Sequence, residues 1–317
     1  MIRASILLLC GLFAGFHRAS AAEELVVMTF NSWHQWGQIT DGFEKAESAI
    51  RECGADVVGL QESSPEVAER MAAKLGWRHA VGGSGSVQIL SRHPIVKVHV
   101  GKSIGSDRLL GACIRWGERP DDEVMLFNIH LDYQRYGPYA AREEGATAEG
   151  VLAENARSLR LNQSAAILDE ISEALDEADA RPVFLTGDFN VPSFLDWTEA
   201  TKSRHHGLVV EWPETALFAK AGLRDSYRVA HPDPDVSPGT TWSAIHKRGE
   251  PQDRIDFILF KGRSARVMES TVFTTLVETT TGPWGGDVKE VAGNTWPSDH
   301  AAVVTRFSLD GRDNEGD

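Results

Sequence analysis

Apolar and polar positions along this chain follow two rhythms. Leu25-Val26-Val27-Met28-Thr29-Phe30 and Val183-Phe184-Leu185 are nearly unbroken apolar runs, the pattern of strands buried on both faces. Elsewhere apolar residues recur three and four apart. Phe43, Ala46, Ala49, Ile50 and Cys53 share one face of a helix over 43–53. Pro65 and Gly76 bracket a second helix over 65–75, because Pro suits the first helical turn and Gly the stop. The pattern predicts further strands over 56–60, 88–91, 95–100, 110–116, 124–129, 183–186, 255–260, 266–273 and 301–307. It also predicts a long amphipathic helix over 153–178, with Leu159, Ala166, Ile167 and Ile171 on its apolar side, and a short helix over 215–221. Residues 132–150 read as a loop and 191–239 as mixed structure. Strands occur both in βα pairs and in consecutive β-β runs. The expected class is therefore α/β, one domain of two packed mixed sheets with helices outside.

The N-terminus breaks this pattern. Arg3 precedes an apolar stretch from Ile6 to Phe16, too short to span a bilayer, and Ala19-Ser20-Ala21 offers small residues where a signal peptidase reads. Residues 1–21 are expected to be a signal peptide, 22–309 the catalytic domain and 310–317 a polar tail. No transmembrane segment is then expected after cleavage, and the protein is expected to be secreted or periplasmic. The chain has 317 residues, 42% hydrophobic and 25% charged, with a formal charge of −14. Losing Arg3 and Arg18 makes it two units more negative. Such acidity does not draw a protein to nucleic acid by bulk electrostatics, although a local basic groove or a bound metal can reverse the local field. Cys53 and Cys113 remain, either as a disulfide or as two buried thiols.

Residues suited to chemistry cluster at strand ends. Asn31 follows the first strand, Glu62 the second, His130 and Asp132 the run 124–129, and Asp188 and Asn190 the run 183–186. Asp256 lies inside 255–260, and Asp299-His300 precedes the last strand. Each has an ordinary reading: Asn31 a turn, Glu62 an acid at a helix N-terminus, Asp256 a salt bridge to Arg254. Together they supply carboxylates, amides and imidazoles at one edge of a layered fold, equipment for holding a hard divalent cation and attacking a phosphate ester.

In this order the motifs Thr29-Phe30-Asn31, Leu60-Gln61-Glu62-Ser63, Asn128-Ile129-His130-Leu131-Asp132, Gly187-Asp188-Phe189-Asn190, Arg254-Ile255-Asp256-Phe257-Ile258 and Ser298-Asp299-His300 resemble the endonuclease/exonuclease/phosphatase superfamily. The resemblance covers residues 24 to 308. It implies a four-layer α/β/β/α sandwich and a Mg²⁺- or Mn²⁺-dependent phosphoesterase. Glu62 would be the main metal ligand, with Asn31 and Asp299 helping to hold the ion or its waters. Asp188 would orient and deprotonate the attacking water, and Asn190 would bond a phosphate oxygen. His130 would donate to a non-bridging oxygen, and His300, held by Asp256, would be the second imidazole at the phosphate.

Trp33, Tyr133, Arg135 and Trp242 are expected to touch substrate, since aromatics with Arg suit a sugar, a base or a phosphorylated headgroup. His246 and Lys247 either add charge for a phosphate or solvate a turn, and His205-His206 reads as surface. The acidic balance and the aromatic rim favour a small phosphorylated or phosphodiester substrate. The alternatives are a secreted nuclease acting on DNA or RNA, a sphingomyelinase-like lipid phosphodiesterase, and a non-catalytic binding module on the same fold.

Overall fold

The structure is a computed structural model that describes residues 23–82, 85–104, 107–245, 250–276 and 294–309. The expected signal peptide, the polar tail, His246 and Lys247 lie outside the described residues. In chain order the strands are β1 (Glu23–Asn31), β2 (Val57–Gln61), β3 (Arg78–His79), β4 (Gln88–Ser91), β5 (Ile95–Val100), β6 (Leu109–Arg115), β7 (Glu123–His130), β8 (Val183–Asp188), β9 (Arg224–Asp225), β10 (Asp256–Lys261), β11 (Ala265–Phe273) and β12 (Ala302–Leu309). The helices are α1 (Gly42–Glu52), α2 (Pro65–Leu75), α3 (Gly137–Ala140), α4 (Ala148–Asn155), α5 (Arg160–Glu170), α6 (Ser172–Asp176), α7 (Pro213–Lys220) and α8 (Ser226–Ala230).

Two six-stranded sheets face each other, ordered β11-β12-β1-β2-β4-β3 and β5-β6-β7-β8-β10-β9. Each is mixed, with one parallel pair, β1 with β2 and β7 with β8, among antiparallel neighbours. Alternation along the strands builds three apolar layers. Leu25 and Val27 point between the sheets with Leu126, Phe184 and Ile258. Val26, Met28 and Phe30 point outward against Ala46, Ile50 and Met71 of α1 and α2. Phe127, Leu185 and Phe257 point outward against Val151, Ile167 and Phe218 of α4, α5 and α7. The expected α/β/β/α sandwich is thus the observed one. No helix among the described residues is long and apolar enough to cross a membrane.

The long helix expected over 153–178 is three helices, and the expected loop over 132–150 holds α3 and the start of α4. Two buried polar side chains explain the break. Asn155 donates to Glu214 (2.7 Å), and Arg160 donates to the carbonyl oxygens of Asp132, Gln134 and Arg135. The Asp132 carboxylate accepts the Leu159 N–H at 2.9 Å where α5 begins. Leu159, expected on the apolar face, is 60% exposed on this turn. Cys53 and Cys113 are free thiols, each pushed up to about 11, mainly by burial.

Toward one end of the sandwich the layer between the sheets turns polar. Gln61 Nε2 donates to Asn128 Oδ1 (2.6 Å), Asn128 Nδ2 donates to the carbonyls of Leu60 and Gln88, and Thr186 Oγ1 bonds Asn128 Oδ1 (3.1 Å). Gly59 makes room for this bridge, since a Cβ there would stand 2.2 Å from Thr186 Oγ1.

Candidate active site

The inner-face residues one step beyond this polar layer carry the chemistry. On β1 the inner positions run Leu25, Val27, Thr29, Asn31; on β7 they run Val124, Leu126, Asn128, His130. On β8 and β10 the same column ends at Asp188 and Asp256. Register places His130, Asp188 and Asp256 side by side across three adjacent strands. The opposite sheet contributes Asn31, Glu62 after β2, and Asp299 and His300 before β12.

Asp188 is the hub. Its Oδ2 accepts from Asn31 Nδ2 (2.9 Å) and faces the Nε2 atoms of His130 (3.6 Å) and His300 (3.9 Å). Its Oδ1 accepts the Asn190 N–H at 2.8 Å. Burial first, and Asp256 beside it, push the Asp188 carboxyl up to about 7. His300 Nδ1 lies 3.0 Å from Asp256 Oδ2. Burial opposes charge on this ring, but Asp256, Asp299 and Asp188 outweigh it and hold His300 well above its ordinary value. That direction favours the imidazolium, in which Nε2 would carry a proton toward Asp188.

Asp256 does not pair with Arg254. That guanidinium bonds Asp196 (3.0 Å) and Asp225 (2.6 Å), so the salt-bridge reading of Asp256 falls and the imidazole-holding reading stands.

Ser86 Oγ donates to the Asp107 carbonyl, so at the 3.3 Å contact with His130 Nδ1 the ring is the donor. Burial pushes His130 down to about 4, with Glu62 opposing and Arg108 assisting. In the free site His130 is neutral with its lone pair on Nε2. The expected donation to phosphate needs a second proton there, which the negative charge of a bound phosphate favours.

Glu62 stands just before α2, whose N-cap is Ser64, accepting the Val67 N–H. It is thus outside the helix, in left-handed backbone at φ 55°. Its Oε1 accepts from Asn31 Nδ2 (3.3 Å) and its Oε2 from the His34 N–H (2.8 Å). The donor of that last bond belongs to an uncommon turn. Trp33, His34, Gln35 and Trp36 all have positive φ (42°, 54°, 63°, 60°). Non-glycine residues pay about 1–2 kcal/mol each for this region. The turn aims the Trp33 N–H at Asn31 Oδ1 (2.9 Å) and the Gln35 N–H at the Glu62 carbonyl (3.1 Å). Trp36 anchors it, buried edge-on to Phe43 and tilted against Phe30. Asn31 thereby orients Glu62 and Asp188 through its amide, while its oxygen already accepts a backbone bond.

These residues fit a hard divalent ion. Glu62, Asp188 and Asp299 line one cavity of about 870 Å³, a set of carboxylate oxygens suited to such an ion. Asp188, Asp256 and His300 also have ligand atoms within 4.8 Å of one another, but the His300–Asp256 hydrogen bond already occupies two of those groups.

Of the residues expected to touch substrate, Trp33, Tyr133 and Trp242 line this cavity. Trp242 Nε1 donates to Asp299 Oδ2 (3.2 Å). Arg135 does not line it; it faces an adjoining hollow and pairs with Glu154 at 3.4 Å. Asn190 lines the cavity with its Nδ2 donating to the Leu131 carbonyl. His205 stacks on Trp197 (4.2 Å), away from the site. Tyr136 and Tyr139 also line the cavity, and sequence reasoning missed Ser86 and Arg108 there. The two tyrosines lie in the same segment as Tyr133 and Arg135. Ser86 and Arg108 carry no local signal.

Comparison with known proteins agrees with this geometry. The sequence profile of the Endonuclease/Exonuclease/phosphatase family matches residues 28–300, and the chain belongs to that family. Family members are hydrolases acting on phosphodiester bonds. An uncharacterized Caenorhabditis elegans protein, F14F9.5, is 29% identical over 312 residues, covering 92% of this chain and 93% of that one. Among solved structures, truncated Caenorhabditis elegans TDP2 superposes with a TM-score of 0.59 at 19% identity, over 90% of this chain and 98% of that one. D. rerio TDP2 complexed with a single-strand DNA product superposes at 0.55 with 16% identity, over 90% and 98%.

Proposed function

We propose that the protein is a secreted or periplasmic, Mg²⁺- or Mn²⁺-dependent phosphoesterase acting on small phosphorylated or phosphodiester substrates by direct attack of water. One observation carries this reading: a buried carboxyl near 7, Asp188, sits between two imidazoles and an amide in an open cavity. A group with that affinity is about half ionised at neutral pH, and its ionised fraction can take a proton from water there. The water oxygen bonds phosphorus as its proton passes to Asp188. The ester P–O bond breaks, and the leaving oxygen takes its proton from solvent. The His300 imidazolium, fixed by Asp256, stabilises negative charge on the phosphoryl oxygens; His130 joins it once the phosphate has raised its proton affinity. Asn190, at the cavity wall with one amide N–H given to the Leu131 carbonyl, would bond a phosphate oxygen with the other. Glu62 and Asp299, with Asn31 orienting Glu62, would hold the ion, which when bound supplies Lewis-acid stabilisation of phosphoryl charge.

The test is hydrolysis of bis-p-nitrophenyl phosphate, p-nitrophenyl phosphate, plasmid DNA, RNA, sphingomyelin and inositol phosphates, with Mg²⁺ or Mn²⁺ and with EDTA. Metal-dependent turnover of a small ester is the expected result. Turnover untouched by EDTA would exclude the metal. In the Glu62→Gln variant the metal concentration for half-maximal rate should rise about 10–100-fold; an unchanged requirement would remove Glu62 from the ligand set.

A nuclease is the second reading. It is supported by the likeness to D. rerio TDP2, whose structure contains a single-strand DNA product, and opposed by the formal charge of −14. The complete residue set at the cavity counts against a binding module.

A further inference from the structure

The catalytic cavity does not end at the phosphate site. A second hollow of about 860 Å³ adjoins it, and Tyr133, Tyr136 and Tyr139 line both. This shared wall is built in place. Tyr136 donates its hydroxyl to buried Asp253 (2.9 Å), and Tyr139 donates to Glu250. Tyr136 also stands edge-on to Tyr139 and to Trp242, with ring centroids 5.6 Å apart in both pairs. Tyr133 is 65% exposed at the junction, a ring face open to a ligand.

Among the described residues, acids outnumber Lys and Arg along this path, with Glu62, Asp107, Asp188 and Asp299 lining the cavity and Glu143, Glu144 and Glu154 the hollow. Among the described residues, Arg108 is the one Lys or Arg lining the catalytic cavity, and Arg135 the one lining the hollow. Arg108 is turned to the carbonyls of His130 and Leu131, with Asp107 3.9 Å away. Arg135 is matched by Glu154. Glu143 and Glu144 add two acids to the hollow. A nucleic-acid strand or a polyphosphate would lay its flanking phosphates along these acids, and like charges facing each other across an interface oppose binding. A flat organic group without negative charge meets tyrosine faces instead.

Resting on the phosphoesterase reading above, we propose that this path is the organic subsite. It selects esters carrying one phosphate, whose organic part is a flat ring free of negative charge seated against Tyr133 and Tyr139. Single phosphodiesters and phosphomonoesters of this kind are the substrate class; polyanions are excluded by the acids of the hollow.

The experiment compares the p-nitrophenyl ester of thymidine 5′-phosphate with the same ester bearing an added 3′-phosphate. At low salt the added phosphate should raise KM at least about tenfold. The gap should narrow with added salt and in the Glu143→Gln/Glu144→Gln double variant. Tyr133→Ala should raise KM about tenfold for the one-phosphate ester with kcat nearly unchanged. Equal or lower KM for the two-phosphate ester would overturn the proposal. Turnover of neither ester would sink the phosphoesterase reading instead. Calorimetric binding of the two esters would then judge the subsite alone: preference for the one-phosphate ester sustains it, while no preference or the reverse overturns it.

Discussion

Asp188 concentrates the competing demands on this site. Its carboxyl is raised to about 7 by burial and by Asp256, against about 3.9 for an unfolded aspartate. Between those values the folded chain binds the proton more tightly than the unfolded chain. Stability therefore falls as pH rises through that window and stays lower above it. His300, also raised, adds a loss in the same direction, but only as pH climbs from about 6.5 toward its own elevated value. With metal removed by EDTA, Asp188→Asn should gain thermal stability over the wild type progressively from pH 4 to pH 7. A constant difference in Tm across that range would contradict the raised carboxyl. At pH 7 with metal, the same variant should lose about 10²–10⁴-fold in kcat while its circular dichroism is unchanged.

The left-handed turn after β1 shows how an element serves the site. Four successive positive-φ residues are costly, and they persist because Trp36 is buried and the turn's N–H groups are bonded to Asn31 and Glu62. Gly42 is part of the same device, since a Cβ there would meet the Trp36 carbonyl oxygen at 2.2 Å. Gln35→Gly should relieve strain at one position and raise stability by about 0.5–1 kcal/mol, with activity within about twofold. Denaturant unfolding and initial rates check this; a loss of stability would show that the turn is not strained at Gln35. The broken helix of α4, α5 and α6 is a second case. Periodicity predicts one long helix, but Asp132 and Arg160 tie the turn before α5 to the segment after β7 that carries the tyrosine wall.

At the scale of the whole molecule, the sheets are joined near the site by polar contacts rather than apolar packing. The Thr29, Gln61, Asn128 and Thr186 layer holds the two halves of the site in fixed relation, and Gly59 leaves it the space it needs. Gly59→Ala drives a methyl group into Thr186 Oγ1 and Asn128 Oδ1 and should cost about 2–3 kcal/mol. Because the two sheets supply opposite sides of the cavity, kcat should fall with stability. Urea unfolding and kcat together test this; full activity with lowered stability would mean that the polar layer does not position the site.

Ten of the twelve strands and the strand-end placement of His130, Asp188, Asp256 and His300 were legible from sequence, whereas the two-residue strands β3 and β9 were too short to leave a pattern. Period-two alternation and strand-end placement are local properties, so each strand end can be read by itself, while the recurrence of such residues at several strand ends is what separates them from ordinary turn and salt-bridge residues. What needed tertiary structure was every relation between distant segments. Only folding shows that Arg254 spends its charge on Asp196 and Asp225 and leaves Asp256 to His300. Only folding turns Arg135 away to Glu154 and brings Ser86 and Arg108 to the cavity. The break at Leu159 was hidden for the same reason, because Asp132, 27 residues earlier, holds its N–H. Sequence determines which groups each strand end presents. The packing of two sheets, whose energetics join residues far apart in the chain, decides which of those groups meet.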